Sequence, residues 1–191
     1  DLDVAGITVI GLGEGQDKPE FTFTATAGEF VIGAASVTVT NVRFIPGISD
    51  VVMGISVEAA GDDFTLDSCE FMVPGTATFE FLDAIDLAAL ADRTTIKNCV
   101  YRDGTSSACN HFIEAGNGVN TGLSVIGNDI QGRFAVSAVW SNKADVGCIL
   151  QDNVIANTIS GQHCIEFTTT ASGMIVGNKL YGDTEASILD P

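Results

Sequence analysis

Residues 37–47, VTVTNVRFIPG, return with variations along the whole chain. The phrase reads FTLDSCEFMVPG from Phe64, TTIKNCVYRDG from Thr94, LSVIGNDIQG from Leu123, CILQDNVIAN from Cys148 and GMIVGNKLYG from Gly173. Each copy is a short alternating strand, a small polar residue or Gly, one more apolar residue and a turn. Aligning Phe44, Phe71, Tyr101, Ile130, Ile155 and Leu180 puts Val42, Cys69, Cys99, Asn128, Asn153 and Asn178 in one column, with steps of 27, 30, 29, 25 and 25 residues. Three residues further back runs an aliphatic column of Val39, Leu66, Ile96, Val125, Leu150 and Ile175. The opening GITVIGLG fits as an earlier copy. A strand that recurs at one-coil spacing predicts a solenoid.

A second strand recurs between these copies: GISVEA from Gly54, AIDLAA from Ala84, HFIEAG from His111, SAVWSN from Ser137 and HCIEFT from His163. Its column is Ile55, Ile85, Ile113, Val139 and Ile165. FTFTATAGEFVIG from Phe21 suggests a third strand in the first coil. DAIDLAALADR (83–93) reads as strand then turn, because its place in the register overrides the helix preference of Ala and Leu. Like strands one period apart are parallel and stacked, so the expected fold is all-β: a right-handed, single-stranded parallel β-helix of six or seven coils, on the order of 30 Å long at about 4.8 Å per coil. Asn128, Asn153 and Asn178 are expected at a turn, taking the left-handed backbone themselves and bonding up and down the stack.

One domain is expected over residues 1–191, as part of a longer chain, since the sequence starts at Asp1 within a strand-like segment and stops on Asp190-Pro191. There are 25 acidic residues against 8 basic ones, a net charge of −17. That balance repels nucleic acid and anionic membrane, and neither is expected as a partner. No run of about 18 apolar residues reads as a membrane-spanning helix. The five cysteines (Cys69, Cys99, Cys109, Cys148, Cys164) are odd in number and show no CxxC, so they signal neither a disulfide framework nor zinc. Cys69 and Cys99 read as buried thiols stacked between coils, with a bond between them left open.

The coil pattern resembles the right-handed β-helix of pectin-lyase-like proteins. GITVIGLGEGQDKPEFTF looks like an early coil of that superfamily, and the repeated NxF and NxI endings are similar to β-helical proteins of tailed bacteriophages. The likeness covers roughly residues 5–182. It implies a non-enzymatic virion protein, such as a head decoration, fibre or spike segment, forming a homotrimer and contacting other virion proteins. The alternative it implies is an extracellular or tailspike-borne glycosidase, lyase or carbohydrate-binding β-helix with a glycan partner.

Candidate chemistry is sparse. GLGEG (11–15) is followed by strand alternation instead of a helix and reads as a coil turn, not a dinucleotide loop. A lyase needs a basic group, and Arg93, Lys97 and Arg102 make one basic spot in acidic surroundings. A glycosidase needs paired carboxylates. The candidates are Asp62, Asp63, Asp83 and Asp86, with Glu58, Glu114 and Glu166 near one column. The GHG and RIK signatures of polygalacturonase-like enzymes are missing, and SGQHC at His163 departs from GHG. His111 and His163 stand two periods apart, too far to share a metal, and read as ordinary surface or turn histidines. No catalytic residue, cofactor or metal ligand is therefore assigned. Phe112, Trp140 and Phe167 occupy related positions in successive coils. Facing outward, they would form an aromatic stripe for a glycan or a neighbouring subunit.

Overall fold

A computed structural model describes residues 1–74, 78–103, 108–183 and 189–190. Gly75 and Gly104, which close two copies of the repeated phrase, lie outside the described residues. The described residues form a parallel β-solenoid of about six turns, with seven strands in each of three sheets. The first sheet takes Thr8–Ile10, Thr38–Thr40, Thr65–Asp67, Thr95–Lys97, Ser124–Ile126, Cys148–Gln151 and Gly173–Val176 in sequence order. The second takes Glu20–Phe23, Arg43–Pro46, Glu70–Val73, Val100–Asp103, Asp129–Gly132, Val154–Asn157 and Lys179–Tyr181. The third takes Phe30–Ile32, Val51–Val57, Phe81–Leu87, His111–Glu114, Ser137–Ser141, His163–Phe167 and Leu189–Asp190. Among the described residues no helix is long and apolar enough to cross a membrane.

The aliphatic column is in register from coil to coil: Val39 opposes Leu66, Leu66 opposes Ile96, and Ile96 opposes Val125. Val39 through Leu150 are fully buried, whereas Ile175, in the last described coil of this sheet, is 45% exposed. On the second sheet Phe44 and Phe71 stack with ring centroids 5.1 Å apart, and Tyr101 and Phe134 continue the aromatic interior. Burying each such side chain contributes about 1.5–3 kcal/mol.

Each phrase that reads as one strand and a turn is in fact two strands on two sheets. One residue with positive φ divides them: Asn41, Ser68, Asn98, Gly127, Asp152 and Gly177 in turn. A single left-handed residue swings the chain round the corner without consuming a loop, which is why alternation alone does not reveal it. This corrects the expected place of the Asn column. Asn128, Asn153 and Asn178 follow the left-handed residue, and their side chains are free to turn inward.

The ladder they form is built as expected. Asn128 Nδ2 donates to Asn153 Oδ1 (2.9 Å), and Asn153 Nδ2 donates to Asn178 Oδ1 (2.8 Å). Each Oδ1 also accepts the backbone N–H of the coil before: Cys99 to Asn128, Asn128 to Asn153, and Asn153 to Asn178, each at 2.9 Å. Each Nδ2 reaches back to the aliphatic column, at the carbonyls of Ile96, Val125 and Leu150. The cysteines earlier in this column hold mainly to their own coil. Cys69 Sγ lies 3.4 Å from the Asp67 carbonyl of its own coil and 3.7 Å from that of Val39, and Cys99 Sγ lies 3.2 Å from the Lys97 carbonyl and 3.8 Å from that of Leu66. All five thiols are free and buried, so Cys69 and Cys99 are not bonded. Burial pushes the Cys69 thiol up to about 11, away from the reactive thiolate.

Replacing Asn153 by Ala removes the acceptor of the buried Asn128 N–H and the donor to Val125. We expect a loss of about 2–4 kcal/mol in urea unfolding. Asn153→Cys, which can still donate to the Val125 carbonyl, should lose less.

Candidate functional site

The third sheet breaks strict alternation. In successive coils two consecutive residues are buried in the core: Ala84 and Ile85, Phe112 and Ile113, Ala138 and Val139, Cys164 and Ile165. The side chains flanking each pair stand three residues apart and share the other face. That spacing sets Asp83 and Asp86 in one coil, His111 and Glu114 in the next, then Ser137 and Trp140, then His163 and Glu166.

Parallel pairing brings these residues into columns. His111 opposes Asp83 and Glu114 opposes Asp86, and the second column continues through Trp140 to Glu166. His111 Nδ1 lies 2.7 Å from Asp83 Oδ1. A carboxylate can only accept, so the proton of this bond sits on Nδ1. His111 Nε2 is buried with no hydrogen-bond partner, and the imidazole is only 8% exposed. It is therefore not the surface or turn histidine the sequence suggested. Trp140 stacks on it, with ring centroids 4.9 Å apart and an interplanar angle of 22°. The indole lies across Gly116, where a Cβ would come within 2.0 Å of Trp140 Cζ3. Asn117 Nδ2 donates to Asp86 Oδ1 at 2.7 Å. Glu114 is within hydrogen-bonding reach of Asp83 and Asp86. One ligand-capable atom each from Asp83, His111 and Glu114 lie within 4.8 Å of one another.

Three carboxyl groups thus meet with no Lys or Arg paired to any of them among the described residues. Burial, and then the neighbouring Asp83 and Asp86, push Glu114 up to about 7. Burial also raises Asp86, against the opposing donation from Asn117.

The other sequence candidates lie elsewhere. Asp62 and Asp63 sit at the corner leading to the first sheet and are tied to Arg93 one coil on. Arg93 Nε lies 2.6 Å from Asp63 Oδ1, and Nη2 lies 3.2 Å from Asp62 Oδ2. Hydrogen bonding to Arg93 holds the Asp63 carboxyl below its usual range. Asp62 also accepts the Asp92 N–H at 3.0 Å. These two aspartates brace neighbouring coils. Glu58 stands exposed just past its strand and outside the carboxylate column. His163 lies beside Glu166 at 3.5 Å, a histidine–glutamate pair like that of His111 and Glu114.

The expected basic spot does not form. Arg93 is taken by Asp62 and Asp63, Lys97 by Asp67 at 3.4 Å, and Arg102 by Asp129. The aromatic stripe does not form either. Phe112 is fully buried and contacts Phe71 and Tyr101, and Phe167 is also buried, which leaves Trp140 alone on the outer face. The consecutive inward pair is the reason: Phe112 falls on its first member, Trp140 stands just beyond the second on the outer face, and Phe167, opposite Ser141, stands one residue further and turns inward again. A cavity of about 480 Å³ opens in the last described coils, lined by residues including Cys148, Leu150, Phe167 and Ile175, none of them from the carboxylate cluster. No family model, curated protein or solved structure matches this chain.

Glu114 has a clear consequence for stability. Its folded-state value of about 7 lies above the ordinary 4.5, so the folded protein binds this proton more tightly than the unfolded chain. The favourable contribution is complete below about pH 4.5 and is lost as the pH rises to about 7. In buffer containing a chelator, unfolding free energy should fall over that interval. Glu114→Gln, which cannot ionise, should flatten the profile by on the order of 1–2 kcal/mol, solvent screening reducing the full linkage value.

Proposed function

We propose that this chain is a non-enzymatic structural component of a bacteriophage virion, a decoration, fibre or spike segment that presents a rigid β-helical surface. The observation that carries the reading is the bracing between successive coils, by different side chains in different parts of the stack. The Asn ladder, the aliphatic column and inter-coil ion pairs such as Lys18–Glu70 and Arg43–Glu70, both 2.8 Å, hold successive rungs together. A stack braced at every rung resists bending, which suits a part that carries load or spaces other parts. The resemblance of the repeated phrase to pectin-lyase-like and tailed-phage β-helices supports the same reading, and its acidic surface keeps such a rod soluble.

The homotrimer belongs to this proposal. With Phe112 and Phe167 in the core, its best-supported seam is the corner after the third sheet. There Leu90, Val119 and Val146 are 61%, 44% and 50% exposed on successive coils. The Leu90 N–H donates to the Val119 carbonyl at 3.3 Å, which ties those two into an apolar ridge, while Val146 stands opposite Thr121, two residues further along. Such a ridge is a site for association.

A second reading has one observation in its favour. Glu114, raised to about 7, stands beside Asp83 and near an outward Trp140. A protonated acid, a second carboxylate and an aromatic platform are the parts of a polysaccharide-acting site.

Mass spectrometry and sedimentation distinguish the readings. The first expects the chain in purified phage particles at many copies, and a trimer at micromolar concentration that Leu90→Glu with Val119→Glu converts to monomer. A stable wild-type monomer found only in culture fluid would overturn it. Release of reducing ends from a bacterial polysaccharide, lost in Glu114→Gln, is what the second reading expects.

A further inference from the structure

We propose that the two ends of the solenoid bind each other, so that a second copy of this chain adds end to end and continues its sheets. Both ends leave strand edges uncovered. Among the described residues, Thr8–Ile10 and Glu20–Phe23 at one end have a sheet neighbour on one side only, and so do Gly173–Val176 and Lys179–Tyr181 at the other. A free strand edge offers the backbone groups that the inner strands have already paired. The buried columns also stop short of cover. Ile175 is 45% exposed and Phe21 is 42% exposed, although Leu150 and Phe44, which they oppose one coil inward, are fully buried. The cavity of about 480 Å³ lies at the same end as Ile175 and is lined by it.

The occupant that fits each end is the other end of the same chain. Setting Gly173–Val176 against Thr8–Ile10 of the next copy, in the register that the inner strands keep, puts Ile175 on Val9 and Val176 on Ile10. The column of Ile10 and Val176 faces outward and is polar along most of its length, through Thr40, Asp67, Lys97 and Gln151. At its two ends it turns apolar, with Ile10 59% and Val176 44% exposed. Stacked copies would cover these two side chains with each other. On the second sheet the same register puts Leu180 on Phe21 and Lys179 on Glu20. Glu20, Arg43 and Glu70 already alternate in sign along that column, with Arg43 2.8 Å from each acid. Lys179 is exposed and forms no ion pair among the described residues. Against Glu20 of the next copy it extends the alternation by one charge, which fixes register and direction. The contact joins unlike ends and does not close, so repeated addition gives a filament. Few side chains take part, so the association is weak. It is independent of the corner ridge and of whether the chain builds a virion or acts on a polysaccharide.

Sedimentation velocity from about 10 μM to about 1 mM, in about 0.15 M salt to screen the chain's own charge, tests the proposal. The protein carries Leu90→Glu with Val119→Glu, so that association at the corner ridge does not enter. Mean mass should rise steadily with concentration, and electron micrographs should show rods that lengthen in steps of about 30–35 Å, one solenoid each. Ile10→Asp and Val176→Asp, at exposed positions of opposite ends, should each weaken association about 10-fold or more by setting a carboxylate against an apolar residue. Mixed in equal amounts, these two variants should form a dimer and stop there, because each brings one intact end. Lys179→Glu, which sets like charges together, should weaken association by about 10-fold as well. If either Asp variant fails to fold, Lys179→Glu decides. A monomer at about 1 mM, a closed oligomer that stops growing, or growth that all three substitutions leave unchanged would overturn the proposal.

Discussion

Everything in this molecule depends on in-register stacking of parallel strands. Once one coil lies on the next at about 4.8 Å, each residue inherits the neighbourhood of its counterpart one period away. A residue that suits one coil suits them all, and columns follow. Val39 to Leu150 form a continuous aliphatic ridge because any polar member would face apolar neighbours above and below. Asn128, Asn153 and Asn178 can share one column because each amide satisfies the next, and Cys69 and Cys99 hold the same place as small buried thiols whose nearest acceptors are the Asp67 and Lys97 carbonyls of their own coils. The same constraint makes the carboxylate cluster. Asp83 and His111 meet because the register sets them opposite each other on adjacent strands.

Much of this was legible because the steps between copies are regular. The aliphatic and Asn/Cys columns, the parallel stacking and the strand over 83–87 can be read from spacing alone. The corner within each phrase could not be read so easily. Asn41, Ser68, Asn98 and Asp152 take positive φ without being glycine, and nothing in a hydrophobic pattern marks a single left-handed residue. The third sheet hid its outward face for a related reason. Consecutive inward residues such as Phe112 and Ile113 defeat a period of two, and this turned the supposed aromatic stripe into core.

The surroundings of His111 are hard to read from sequence because its partner is Asp83 in the adjacent coil, whereas the other histidine, His163, lies two coils away. A signal was present. DAID, HFIE and HCIE repeat an ionisable residue three positions from another, aligned on Ile85, Ile113 and Ile165. Placing acids and histidines on that alignment would have stacked Asp83 on His111 and Asp86 on Glu114. The acidic candidates then separate by partner. Asp62 and Asp63 are neutralised by Arg93 and serve the frame, whereas Asp83, Asp86 and Glu114 have no Lys or Arg partner among the described residues and carry the chemical interest.

Rungs tied by one Asn ladder, from Cys99 to Asn178, should open as one body. Native-state hydrogen exchange tests that most directly. The backbone amides of Cys99, Asn128 and Asn153, each donating to an Asn Oδ1 in the next coil, should exchange only through global unfolding, at rates matching one another and the amides of Ile96 and Val125. If these amides exchange as fast as those of the exposed corners, or if the coils open one by one with different free energies, the ladder does not hold the stack together and the account of a rigid, braced surface fails.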